Sequence, residues 1–303
     1  MAELAPAFPQ HPLRAQVLGE VHARPFQRIT APRRLLLHAF AVDPSRTADE
    51  TAALARWCRE TGTTELAPGA NFHSASFPTT RLRWERHSEF STYTWEAPAT
   101  GGPFSWPLDE PSPVGAAIPA PGNLLVAVDL TLLRAEDAPP DVAKYFDEAS
   151  LCVSAVHAGA ATIATDFRQD ARGMVRILVI DHGLAPALGG ALVQRLLEIE
   201  TYRTFALLGL PEAQRLGPVI SRVERELVQV AQSMRTAEGL ADNGALLDTL
   251  VSRAADLEAE AASSSFRFGA TRAYDALVKS RLELLGEMAQ GGHSSWGAFL
   301  DRR

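Results

Sequence analysis

Lysine is almost missing from this chain. Only Lys144 and Lys279 occur among its 303 residues, and every other strong base is arginine. The bases are not gathered on one stretch and the formal net charge is −7. A nucleic-acid partner needs a clustered basic face, so none is expected. Cysteine is equally scarce. Cys58 and Cys152 stand alone in a helical and a strand-like pattern, with neither metal spacing nor a disulfide framework. A reducing compartment is the default for such a chain. The opening MAELAPAFPQHPLR lacks the apolar core of a secretory signal. No run approaches the ~18 apolar residues that read as a membrane span. Also missing are a Walker loop, GxGxxG, HExxH and GxSxG. No cofactor and no metal site is therefore expected, and no catalytic residue is assigned.

What is present is a chain in two styles joined by residues 181–214, DHGLAPALGGALVQRLLEIETYRTFALLGLPEAQ. Pro186 suits a first helical turn, where its missing N–H would be unpaired anyway. Gly189 and Gly190 leave that turn bare, so another backbone can approach. Leu192, Val193, Leu196, Leu197, Ile199 and Phe205 then cover more than one face, which predicts a helix packed on two sides. Gly209 and Pro211 are expected to end it.

Before this stretch, alternating and fully apolar runs predict strands at 33–42, 71–77, 81–95, 123–133, 150–156, 160–167 and 174–180. The segment 81–95 turns near residues 87–89. A helix is predicted over 47–61, with Thr47 as cap, Glu50 three residues on, and Leu54 and Trp57 inward. A short helix is predicted over residues 12–23. Residues 97–121, rich in proline and glycine, read as a surface loop. Tight links at Ala158-Gly159 and residues 170–173 favour antiparallel neighbours, since parallel crossovers need a dozen or more residues. After Pro211 the period becomes helical. Leu216, Val219, Val223, Leu227, Val230 and Met234 form one seam, with Arg222 and Glu226 as an i,i+4 pair. Leu246, Leu250, Leu257 and Ala261 form a second, after a break over residues 239–244. Tyr274, Leu277, Val278, Leu285 and Met288 form a third. The expected fold is α+β: a mostly antiparallel sheet domain with a few helices, followed by an all-helical stalk or bundle. The expected division is an N-terminal arm over 1–32, an α+β domain over 33–183 and a helical region over 184–303.

Four groups of residues carry chemistry. Glu20, His22 and Arg24, with His11 upstream, are candidates for ligand binding; local hydrogen bonds that pin the arm would explain them equally. Arg81, Arg83, Glu85 and His87 alternate on one strand face, which could hold an anion or be the wet face of an antiparallel sheet. Asp166, Arg168, Asp170 and Arg172 read as a solvated hairpin end. Glu198, Glu200 and Arg203, inside the apolar helix, form either a solvated seam or a polar network at a subunit contact. His157 and His182 stand at strand ends, where a lone histidine is usually structural.

Four runs, HPLRAQVLGEVHARPF, RLLEIETYRTFALLGLPEAQ, FRFGATRAYDALVKSRLELL and FLDRR, lie in the same order as in the domain-of-unknown-function family 3422. The chain resembles that bacterial family of predicted membrane-anchored proteins over nearly its whole length. The resemblance implies no catalytic residues. It implies a further helical segment and an apolar, aromatic-containing membrane segment beyond the position of Arg303. Either the chain is truncated or this member is soluble, and the uncapped Asp301-Arg302-Arg303 end favours truncation. Expected location is the cytoplasm for these residues, and the cytoplasmic face of the inner membrane if the anchor is present.

Together these features favour a head-and-stalk interaction protein, homo-oligomeric through its helical region, with a membrane contact only through the segment beyond Arg303. One alternative is an enzyme or small-ligand-binding protein using the N-terminal arm. Another is the regulatory part of a membrane transport component.

Overall fold

In the computed structural model, the described residues are 8–14, 18, 27–105, 118–235 and 239–302. The predicted helix over 12–23 falls mostly outside them. The chain divides into two compact units: residues 1–200 with 281–303, and residues 201–280.

The first unit is built on strands β1 (Arg33–Ala41), β2 (Phe72–Ser76), β3 (Arg81–Arg86), β4 (Phe90–Pro98), β5 (Asn123–Arg134), β6 (Cys152–Val156), β7 (Ala161–Gln169), β8 (Val175–Asp181) and β9 (Met288–Ala289). They form one sheet in the order β2-β3-β4-β1-β5-β8-β7-β6-β9. Every pairing is antiparallel except β5 with β8, which run parallel. The α+β class and the largely antiparallel sheet are as the sequence predicts. The parallel pair arises because the β6-β7-β8 meander returns to the free edge of β5. The central strands read as continuous apolar runs because both faces are buried. On one face Leu35, Leu37, Val128, Leu130, Ile177 and Val179 are buried. On the other, helix α1 (Thr47–Glu60) sets Leu54, Trp57 and Cys58 against Phe40, Trp84, Tyr93 and Trp95. Beyond β5 that same face is closed by Phe146 and Leu151 over Leu133, Leu178 and Ile180.

The start of α1 corrects the sequence reading. Thr47 is not a cap, and Arg46 at that position makes no side-chain capping bond. The chain enters through a 3₁₀ turn at Pro44–Arg46, whose Ser45 N–H and hydroxyl both donate to the Asp43 carboxylate. Glu50 turns inward, 3% exposed. Its carboxylate accepts from Trp84 Nε1 (2.9 Å), Ser91 Oγ (2.9 Å) and Tyr93 OH (3.1 Å), with Arg86 Nε 3.6 Å away. A buried carboxylate is tolerated only when paired and hydrogen-bonded in this way.

Helix α2 (Pro186–Ala206) begins at Pro186 as expected. It stops sooner than predicted, at Ala206, and Gly209 opens helix α3 (Gly209–Ser233) instead of capping α2. Pro211 sits in the first turn of α3, where no intrahelical donor is required. Helix α4 (Leu240–Leu285) runs unbroken through Gly244 and Ser263 to Ser265, so the second and third predicted seams belong to one helix. Ser264 Oγ donates back to the Glu260 carbonyl (2.8 Å) and does not interrupt it.

Within the second unit, α3 and α4 are tied by polar pairs. Arg253 Nε lies 2.5 Å from Glu226, and Arg215 Nη2 lies 2.7 Å from Glu260. Glu226 thus pairs across to Arg253, not with Arg222 as its spacing suggested. Gly209 packs on Thr271, and Tyr202 stacks on Tyr274 with centroids 5.9 Å apart. The α3 seam holds Leu216, Val223 and Val230 buried, while Leu227 and Met234, predicted to share it, are exposed.

The C-terminal segment closes the far edge of the sheet. Gln290 N–H donates to the Val153 carbonyl (2.9 Å), and Val153 N–H to Ser294 (3.2 Å). Glu287 accepts from Ser154 Oγ (2.7 Å) and from the N–H groups of Trp296 (2.9 Å) and Gly297 (2.6 Å), which start helix α5 (Trp296–Leu300). Met288 is exposed in β9 and does not extend the third seam.

Candidate functional site

Of the three residues singled out for ligand binding, Glu20, His22 and Arg24 all lie outside the described residues. His11 is described, and its Nδ1 accepts from Leu13 N–H (3.2 Å).

Three residues after Arg24, the chain enters the wall of a cleft in the first unit. Gly190 permits this. A Cβ there would lie 1.6 Å from the Gln27 carbonyl oxygen, and one at Gly189 would lie 2.7 Å from that of Ile29. The bare first turns of α2 therefore let the segment 27–29 cross directly on the helix backbone, and Ile29 N–H donates to the Pro186 carbonyl (3.0 Å). The close backbone approach expected of these glycines is present, and it builds one side of the cleft. Gly190, Val193, Gln194 and Leu197 form the second side. Their spacing of three and four puts them on one helix face. Leu35, Thr94 and Glu96, with Arg81 and Arg83, form the floor. Register explains the floor: Arg83 lies opposite Thr94, Arg81 opposite Glu96, and Leu35 opposite Glu96 on the other flank.

The predicted alternation of Arg81, Arg83 and Glu85 is thus one sheet face, of which Arg81 and Arg83 line a cleft. Charges in it are unequally matched. Arg83 Nη2 meets Glu85 (2.5 Å), and Arg33 Nε meets Glu96 (3.3 Å). Among the described residues, Arg81 has no ion-pair partner although it faces Glu96 in register. His87 is outside β3 and stacks on Phe90, centroids 4.2 Å apart.

The row Asp166 to Arg172 is only in part the solvated hairpin end it resembles: Arg168 and Arg172 are exposed, but Asp166 and Asp170 are not. Asp166 is 1% exposed and accepts from the N–H groups of Asp147 (2.8 Å) and Arg168 (3.1 Å). Arg172 Nη2 reaches Asp129 (2.7 Å), and Asp170 holds the same guanidinium. Asp129 is fully buried in β5 and is also held by the buried Arg34 of β1, through Arg34 Nε at 2.8 Å and Nη2. The sequence reading passed over Arg34 and Asp129. An acid inside the run NLLVAVDLTLL is the signal that could have found them, because a buried charge demands a partner.

Glu198 accepts from Gln194 Nε2 (2.9 Å) and Arg281 Nε (2.5 Å), so it is joined to the cleft wall through Gln194. Glu200 is buried, and Arg203 is half-buried further along α2, in the second unit. Burial lowers the pKa of His38, His73 and His157, with Arg195 a second cause at His157. Burial pushes the Cys152 thiol up to about 12, and raises Cys58, whose Sγ is 3.4 Å from His73 Nε2. Such thiols are inert, since the thiolate is the reactive form. His182 Nε2 lies 3.0 Å from Thr162 Oγ1. No group of three or more His, Cys, Asp or Glu side chains that could hold a metal occurs among the described residues, and no described helix is long and apolar enough to cross a membrane.

Fold and site define an α+β protein with a charged cleft on one sheet face and a two-helix unit inserted near its C-terminus. The chain belongs to the family described as protein of unknown function (DUF3422), whose model matches residues 9–303. No curated protein and no solved structure matches it.

Proposed function

We propose that this is an interaction protein that self-associates through its helical unit. One observation carries the proposal. Beside the buried row Leu216, Val223, Val230 on α3 runs a second heptad row, Ile220, Leu227 and Met234, which is 47%, 44% and 62% exposed. A seven-residue apolar repeat on the solvent side of a helix is the pattern that pairs helices by knobs into holes. The Glu226–Arg253 pair sets Leu227 level with the start of α4, where Leu247 and Val251 are each 60% exposed. Burying each of these half-exposed side chains would contribute on the order of 1 kcal/mol. The occupant is a second copy of the chain, because one repeat can meet the same repeat across a two-fold axis. Attachment to a membrane, which the family resemblance implies, would need a segment other than the described helices and is part of the same proposal: it would concentrate copies on one surface.

The test is light scattering after gel filtration of residues 1–303 and of Leu227→Glu. The wild type should elute as a discrete oligomer, and the variant as a monomer with unchanged far-UV circular dichroism. A wild-type monomer at tens of micromolar would remove the proposal.

A further inference from the structure

We infer that the self-association is an antiparallel, two-fold pairing of α3, in which Glu224 of one copy meets Arg235 of the other and Val228 meets Ala231. This rests on the reading above. It adds the direction of the pairing, the closed dimer that results and the charges that select it.

Glu224, Val228, Ala231 and Arg235 follow one another at spacings of four, three and four. Residues so spaced lie along one line on a helix. The first three are inside α3. Beyond its end Met234 keeps helical dihedrals, φ −61° and ψ −24°, and Arg235 N–H donates to the Gln232 carbonyl (3.1 Å), so the line continues to Arg235. All four side chains are exposed, and they run beside the exposed row Ile220, Leu227 and Met234. Other charges of the unit are used inside it: Glu212 and Glu260 hold Arg215, and Glu226 and Asp256 hold Arg253. Glu224 and Arg235 take part in none of these pairs. Read forward, the line is acid, valine, alanine, base; read backward, it is base, alanine, valine, acid. Laid antiparallel on itself, it sets acid on base at both ends and small apolar side chains on each other between them. A parallel copy would set Glu224 on Glu224 and Arg235 on Arg235, and like charges facing across a contact oppose association. A two-fold contact uses the same patch on both subunits, so one pairing makes both charge pairs and closes at two copies.

Sedimentation equilibrium of residues 1–303 at low ionic strength tests this, with Glu224→Arg, Arg235→Glu, the two combined, and Arg222→Glu. The wild type should be a dimer. Each single reversal makes both symmetry-related pairs repulsive and should weaken the dimer by about tenfold or more. The combined variant restores acid against base with the ends exchanged, and should return the dissociation constant close to that of the wild type. Arg222 is exposed but stands two residues from Glu224, on the other side of the helix, and its reversal should leave the dimer unchanged. All the replaced side chains are exposed, and far-UV circular dichroism checks that each variant is folded. A wild-type dimer insensitive to the single reversals, a loss that the combined variant does not recover, or a wild-type assembly larger than two would overturn the antiparallel pairing and leave self-association standing. A wild-type monomer would remove both.

Discussion

In the sheet unit, Glu50 and Asp129 lie inside the protein among their donors, and large apolar side chains are packed around them. In the helical unit the placement is reversed: Glu226–Arg253 and Arg215–Glu260 link the helices, while Ile220, Leu227, Val228, Met234, Leu247 and Phe266 face solvent. A sheet closed on both faces can bury charge and still keep a continuous apolar core. Two helices side by side share only one seam, and here several positions on it are polar. The first region buries its large apolar side chains; the second leaves apolar surface exposed, which the proposed self-association would cover.

The largest effect should come from breaking the interior charge of the sheet unit. Asp129→Ala leaves Arg34 buried without its carboxylate, and removing one partner of a buried pair costs about 3–5 kcal/mol. Urea unfolding followed by tryptophan fluorescence should show that loss. Glu226→Ala, which breaks the ion pair linking the helices, should shift the transition by under ~1 kcal/mol.

Glycine sharpens the contrast. Gly190→Ala would drive a methyl group into the Gln27 carbonyl, so overpacking of about 1–3 kcal/mol is expected. Gly244→Ala in α4 meets nothing within 4 Å and should stabilise its helix by roughly 0.5–1 kcal/mol. Thermal denaturation of the two variants should move in opposite directions.

Mild acid gives the smallest expected effect, and the histidines that carry it lie in the sheet unit. His38, His73 and His157 all belong there, and burial depresses their pKa values. The unfolded chain takes up protons at these sites first, so stability is lost as pH falls below the ordinary histidine value of ~6.5. A melting temperature that drops between neutral and mildly acidic pH, with less drop in His38→Gln, would show the linkage.

Much of the sheet was readable from sequence because alternation and apolar runs mark strands without reference to their neighbours. Leu54 and Trp57 were placed inward by spacing alone, and Gly189-Gly190 announced a close backbone approach. The failures share a cause, which is that partners lay far away in sequence. Thr47 and Glu50 match a capping box in spacing, yet Trp84, Ser91 and Tyr93 supply donors that draw Glu50 inside. Asp166 to Arg172 looked solvated because Asp129 and Asp147 are not nearby in the chain. Arg81 and Arg83 were read as either an anion-holding row or the wet face of a sheet, and the wall that makes a cleft beside them comes from residues 190–197. Leu227 was assigned to the seam because a heptad does not reveal which of two adjacent apolar rows faces the neighbouring helix.

The central contrast, a sheet unit with a buried core and a helical unit proposed to take a partner, is tested most directly by hydrogen exchange at rising protein concentration. Amides of α3 and α4 should become more protected as concentration rises, while those of β1, β5 and β8 stay constant. Protection of α3 and α4 that is high and independent of concentration would contradict the account.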